Sequence, residues 1–196
     1  MKQHVKIISL LAVAAVSLLA FADTAAAAPT LTSPAGTEYW GSFHATLEFG
    51  TSTTLKAGIE DTCTESTAGG LVGTNTETHA ESSLATLTFS KCTQDTRVVF
   101  PGTLTVDGNG TAFTWSSRIE VKVTGLGVTC FYGAELGSVD IGKLTPSNVT
   151  FFTTATLDVN TTALQREAGS NTTFCASKGT WTGSYVVTTP ETLLLK

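Results

Sequence analysis

From Ser42 onward the chain alternates apolar and polar side chains in stretch after stretch, and a period of two is the pattern of a strand with one face buried and one face wet. Phe43, Ala45, Leu47 and Phe49 interleave with Ser42, His44, Thr46 and Glu48, and Leu55, Ala57 and Ile59 repeat the pattern toward Cys63. Leu87 and Phe89 lead into Cys92. Leu104 and Val106 run into Asp107-Gly108-Asn109-Gly110, which supplies the positive φ angles of a tight hairpin, and Phe113 and Trp115 leave it. Further strands are expected at Ile119–Val123, Val128–Tyr132, around Val139 and Ile141, along the Thr-rich Val149–Val159, and from Trp181 to Val187 before Thr189-Pro190. Val, Thr and aromatic side chains pack well on a pleated backbone and lose more freedom in a helix. Only Thr161–Ala168 offers a short helical alternative, at a length that suits a loop as well. Ala68–Ser83, polar and rich in Gly and Thr, reads as a long loop or a pair of weak edge strands. The sum is an all-β expectation: an antiparallel β-sandwich of Greek-key type, with a β-barrel as the alternative.

Residues 1–28 are a different kind of sequence. Lys2 and Lys6 make a basic start, Ile7–Phe21 is an uncharged apolar run, and Asp23-Thr24-Ala25-Ala26-Ala27-Ala28 offers small side chains for cleavage, the three parts of a secretory signal peptide. The apolar run falls short of the ~20 residues a membrane-spanning helix needs. No transmembrane anchor is therefore expected after cleavage, and residues 29–196 are expected to be one secreted all-β domain, outside the cell or at its envelope. The formal charge is −5 with 14% charged residues, and losing Lys2, Lys6 and Asp23 makes it slightly more negative. A weakly acidic surface lacks the clustered Lys and Arg that nucleic acid or an anionic membrane requires.

An exported chain with four cysteines, Cys63, Cys92, Cys130 and Cys175, is expected to oxidise them. Of the three connectivities, Cys63 with Cys92 and Cys130 with Cys175 is preferred because each closes a modest loop within its own half of the chain. No Cys-x-x-Cys spacing supports a metal site, and only His44 and His79 follow the leader to assist one.

Catalytic constellations are equally thin. A histidine-based triad must use His44, on the polar phase of its strand, or His79, in a polar stretch, so both are expected in solvent, and no Gly-x-Ser-x-Gly elbow is present. Glu60, Asp61, Glu65, Glu120, Glu135 and Asp140 are the acids that could pair on a glycoside, and they read better as solubility residues on strand faces. The same acids lack the spacing of a calcium loop, and no cofactor is called for. Among Trp40, Trp115, Trp181, Tyr39, Tyr132 and Tyr185, tryptophans of a sandwich mostly fill its core. Tyr39 and Trp40, near the new amino terminus, are the candidate surface aromatic contact. Asn109, Asn148, Asn160 and Asn171 each begin an Asn-x-Thr triplet, an acceptor for sugar where the producer glycosylates.

Thr62-Cys63-Thr64, Phe89-Ser90-Lys91-Cys92, Val128-Thr129-Cys130 and Cys175, with the closing Trp181-Thr182-Gly183-Ser184-Tyr185-Val186-Val187-Thr188-Thr189-Pro190, give the chain a layout that resembles small secreted four-cysteine bacterial proteins of unknown function. More distantly it is similar to exported proteins named activators of alkane oxidation, associated with surfaces and biofilm. The resemblance implies architecture and no catalytic residues. The expected function is a non-enzymatic extracellular or envelope-associated module for binding, adhesion or structure, its partner a cell-wall polymer or a second copy of itself. A carrier of a small apolar ligand and, further off, a hydrolase of extracellular polymer are the alternatives.

Overall fold

Alternation becomes strand through most of the computed structural model, which describes residues 30–76, 79–107, 112–123, 127–133, 139–151 and 153–195, with the backbone alone at 107, 112–123 and 139. The expected leader, the tip of the Asp107–Gly110 hairpin and Glu135 lie outside the described residues, and so do the side chains of Trp115 and Glu120. Among the described residues twelve strands follow one another: β1 (Leu31–Thr32), β2 (Ser42–Leu47), β3 (Thr53–Lys56), β4 (Glu60–Asn75), β5 (His79–Cys92), β6 (Asp95–Asp107), β7 (Ala112–Val123), β8 (Val128–Gly133), β9 (Val139–Thr145), β10 (Thr156–Arg166), β11 (Lys178–Thr189) and β12 (Leu194–Leu195). Every ladder is antiparallel. Ten strands form the main sheet system, and β1 pairs with β12 apart from it. β11 lies beside β2 and β3, β10 beside β8, and β9 beside β7, the crossings a Greek-key layout requires.

Inward side chains of β4, β5 and β6 meet those of β9, β10 and β11 across one core: Ala68, Leu84, Leu87 and Leu104 face Ile141, Leu157, Val159 and Trp181. The barrel alternative does not form. β5 and β6 pair only between His79–Ser83 and Thr103–Asp107, and no ladder joins Leu84–Cys92 to Asp95–Phe100. Both disulfides join the preferred partners, Cys63 with Cys92 and Cys130 with Cys175. In the first, directly opposed residues of β4 and β5 are linked at a Cα–Cα distance of 3.9 Å; the second ties β8 to the β10–β11 loop at 5.7 Å.

Three local expectations are corrected. Most of Ala68–Ser83 is paired strand rather than loop or weak edge: 68–75 and 79–83 lie in β4 and β5, with β2 on the other side of β4 as far as Leu71. Small residues are what permit this, since a Cβ on Gly70 would lie 2.0 Å from the carbonyl oxygen of Ser83. Thr161–Ala168 is not a helix; β10 runs through it to Arg166, because Thr161 and Leu164 turn inward against the core. Val149–Val159 is strand only from Thr156, the preceding residues forming a loop in which Val149 and Phe151 are exposed. No helix among the described residues is long and apolar enough to cross a membrane.

Candidate functional site

Most chemistry-bearing residues turn out to brace the fold. Trp181 and Tyr185 are buried; the indole Nε1 of Trp181 donates to Thr53 Oγ1 at 2.8 Å, whose hydroxyl donates to the Thr182 carbonyl at 2.9 Å. The Tyr185 hydroxyl sits 2.9 Å from Ser66 Oγ, and the Ser66 hydroxyl in turn donates to the Thr88 carbonyl. Burial pushes the Tyr185 phenol up, against the opposing pull of its bonds to Ser66, Thr53 and Trp181. Tyr132 is also buried, its hydroxyl 2.8 Å from the carbonyl oxygens of both Ala57 and Ala176, and burial likewise raises its pKa.

Asp61 overturns its reading as a surface acid. Fully buried, it accepts hydrogen bonds from Thr93 Oγ1 at 2.8 Å, from the Gln94 backbone N–H at 2.7 Å and from Thr96 Oγ1. It therefore bolts β4 to the β5–β6 turn where the chain crosses between layers. Cys63 and Cys92 lie with it within 4.8 Å, but their sulfurs are joined to each other, so the trio offers a metal one carboxyl and no thiolate. Of the other candidate acids, the three whose side chains are described stay on the surface and apart: Glu60 pairs with Lys56 at 3.3 Å, Glu65 with Lys91, and Asp140 is exposed. His44 and His79 are half-buried rather than exposed, and His44 Nδ1 lies 3.0 Å from Thr188 Oγ1.

Of the expected aromatic contact, Trp40 is half exposed with its indole N–H on Glu38, while Tyr39 packs partly against the core and donates its hydroxyl to the Ser42 carbonyl. Alternation missed a more prominent aromatic. Phe49, expected to continue the buried phase of β2, is wholly exposed, at 103% of its reference surface. β2 has ended at Leu47, and Gly50 adopts φ 78° in the turn that follows. That turn is pinned: the Glu48 N–H donates to the Ser184 carbonyl, and both the N–H and the hydroxyl of Thr51 donate to the Glu48 carbonyl.

Opposite Phe49, β4 and β5 are irregular together. Thr64 and Glu65 are both exposed between buried Cys63 and Ser66, as are Ser90 and Lys91 between buried Phe89 and half-buried Cys92, so each strand loses its alternation at the same level. Lys91 takes φ 52°, unusual for a residue with a side chain. On this edge β4 pairs with β3 up to Cys63 and with β2 from Thr67, leaving 64–66 facing a gap. The result is an open groove of about 610 Å³ between the Phe49 turn and the Glu65–Lys91 wall. Lys91 Nζ lies 2.5 Å from Glu65 Oε1, and its ammonium, with help from Ser90, holds the Glu65 carboxyl below the usual range against the opposing pull of desolvation. The groove adjoins a belt of side chains turned away from the core, Thr88, Thr67, Thr46, Val186, Thr156 and Thr145, opposed in register across six strands while their chain neighbours point inward.

Inside, among the described residues, two apolar cavities measure about 30 and 20 Å³, room for one or two waters. Asn148 and Asn171 each use the side-chain oxygen to accept the N–H groups two and three residues on, and each such turn ends in an exposed Phe, Phe151 or Phe174. Comparison with protein-family models, with curated proteins and with solved structures finds no match.

Proposed function

We propose that this chain is a secreted, non-enzymatic module that acts by contact outside the cell or at its envelope, its partner an extracellular polymer. One observation carries the reading: the groove beside Phe49, where a rigid turn displays an apolar ring to water opposite hydroxyl, carboxyl and ammonium groups. An aromatic ring that no core needs and that hydrogen-bonded backbone holds in place is the composition of a contact site. Two disulfides suit an oxidising exterior. Against a carrier of apolar ligands stands the small size of the interior cavities, far below the ~300 Å³ at which ligand pockets begin. Against hydrolysis stands the dispersal of the acids.

The test is to produce residues 29–196 in oxidised form and to measure co-sedimentation with purified envelope material, together with self-association by analytical ultracentrifugation. Saturable sedimentation with the envelope fraction is expected. Failure to bind that material, with the chain monomeric at high concentration, overturns the reading.

A further inference from the structure

Building on that contact reading, we infer that the groove between the Phe49 turn and the Glu65–Lys91 wall binds a neutral glycan chain of the kind cellohexaose and chitohexaose represent, with Phe49 stacking on a pyranose ring and the Glu65–Lys91 pair holding its hydroxyls. A pyranose has an apolar C–H face bounded by hydroxyls, and the groove presents the complement of both. Phe49 is an uncommitted ring at the lip: it packs against nothing, and the three hydrogen bonds of its turn leave little freedom to lose on binding. On the facing wall, a carboxyl accepts and an ammonium donates, and hydrogen bonds to charged groups are the stronger kind. Ser90, whose hydroxyl lies 3.4 Å from Glu65 Oε2, extends that row.

Other ligands fit less well. Glu48 and Glu65 against the single cation Lys91 leave this wall without the positive potential that a polyanion requires. An apolar chain would strip water from the ion pair and the threonines without replacing their hydrogen bonds. An extended peptide could add to the edge of β4, but the gap in its ladder spans only 64–66, between the pairings Thr53–Cys63 and Thr46–Thr67. The loss of alternation in β4 and β5 at the same level turns Thr64, Glu65, Ser90 and Lys91 outward together, and the positive φ of Lys91 marks where the backbone departs from regular strand.

The experiment titrates the oxidised chain, labelled with ¹⁵N, with cellohexaose and with chitohexaose, and maps the amide shifts. One of the two is expected to shift 48–51, 64–67 and 90–91. Phe49→Ala is expected to weaken that binding about tenfold or more, the effect of losing one stacked ring, while leaving the melting temperature unchanged because the ring packs against nothing. Glu65→Gln is expected to weaken it less. Absence of shifts with both oligosaccharides, shifts confined to another face, or undiminished binding by Phe49→Ala overturns the inference; shifts at this groove from an extended peptide instead would assign it to β-strand addition. Envelope sedimentation that survives such a result leaves the contact reading standing, so the two failures are separable.

Discussion

The two ends of this sandwich are closed by different means. At one end, the Cys63–Cys92 and Cys130–Cys175 bridges, the buried Asp61 and the Trp181–Thr53 and Tyr185–Ser66 bonds tie neighbouring strands and loops with partners for every polar atom named. At the other, the two-residue strands β1 and β12 clasp each other over an apolar cavity, held by Asn75 on the backbone of Leu31 and by Ser147 on that of Leu193. Ser82 lines that cavity with a buried hydroxyl that has no hydrogen-bond partner. The contrast teaches where the fold concentrates its stability: covalent and polar bracing sits beside the groove and Lys91, where the backbone departs from regular strand, and a lighter clasp of apolar contacts and a few hydrogen bonds suffices where no such site is built.

Breaking the braced end should have the largest effect. Replacing Cys130 and Cys175 together by Ala removes a bridge across 45 residues, and chain-entropy reasoning gives a loss of about 4 kcal/mol in urea unfolding. Asp61→Ala strands the Thr93, Gln94 and Thr96 donors, and a loss of about 3 kcal/mol is expected. A loss below about 1 kcal/mol for either would mean that this end is not the stronger one.

Much of this was legible in the chain. The period of two at Phe43–Leu47 and the branched residues already pointed to antiparallel layers, and the modest loops within each half of the chain to the preferred bridges. The groove was not legible, for a physical reason: alternation assigns a face only while a regular strand continues, and β2 stops at Leu47 while β4 and β5 lose their alternation at Thr64–Glu65 and Ser90–Lys91. Gly50 directly after Phe49 was the one local signal that the phase breaks there. Asp61 was misread because a carboxyl's burial depends on donors 32 to 35 residues away, and Ala68–Ser83 because Gly and Thr suit both a loop and a tightly apposed strand.

The buried phenol sharpens the comparison through pH. The Tyr185 pKa is raised by burial in the folded state, so its contribution is complete below the ordinary phenol value of about 10 and is lost as pH rises from there through the folded value. Unfolding monitored by far-UV circular dichroism should show stability falling above about pH 10, and Tyr185→Phe should flatten that fall. The smallest change is expected at the clasp. Ser82→Ala removes an unpartnered hydroxyl and should raise stability by about 1 kcal/mol; a loss of similar size would show that the hydroxyl has a partner in solution.

Native-state hydrogen exchange with mass spectrometry tests the contrast between the ends most directly. The account predicts slowest exchange in β4 and β5 around Cys63–Cys92 and in β11 around Trp181, and exchange faster by orders of magnitude in β1 and β12. Equal protection at both ends, or early opening of β4 and β5 beside the groove, would contradict it.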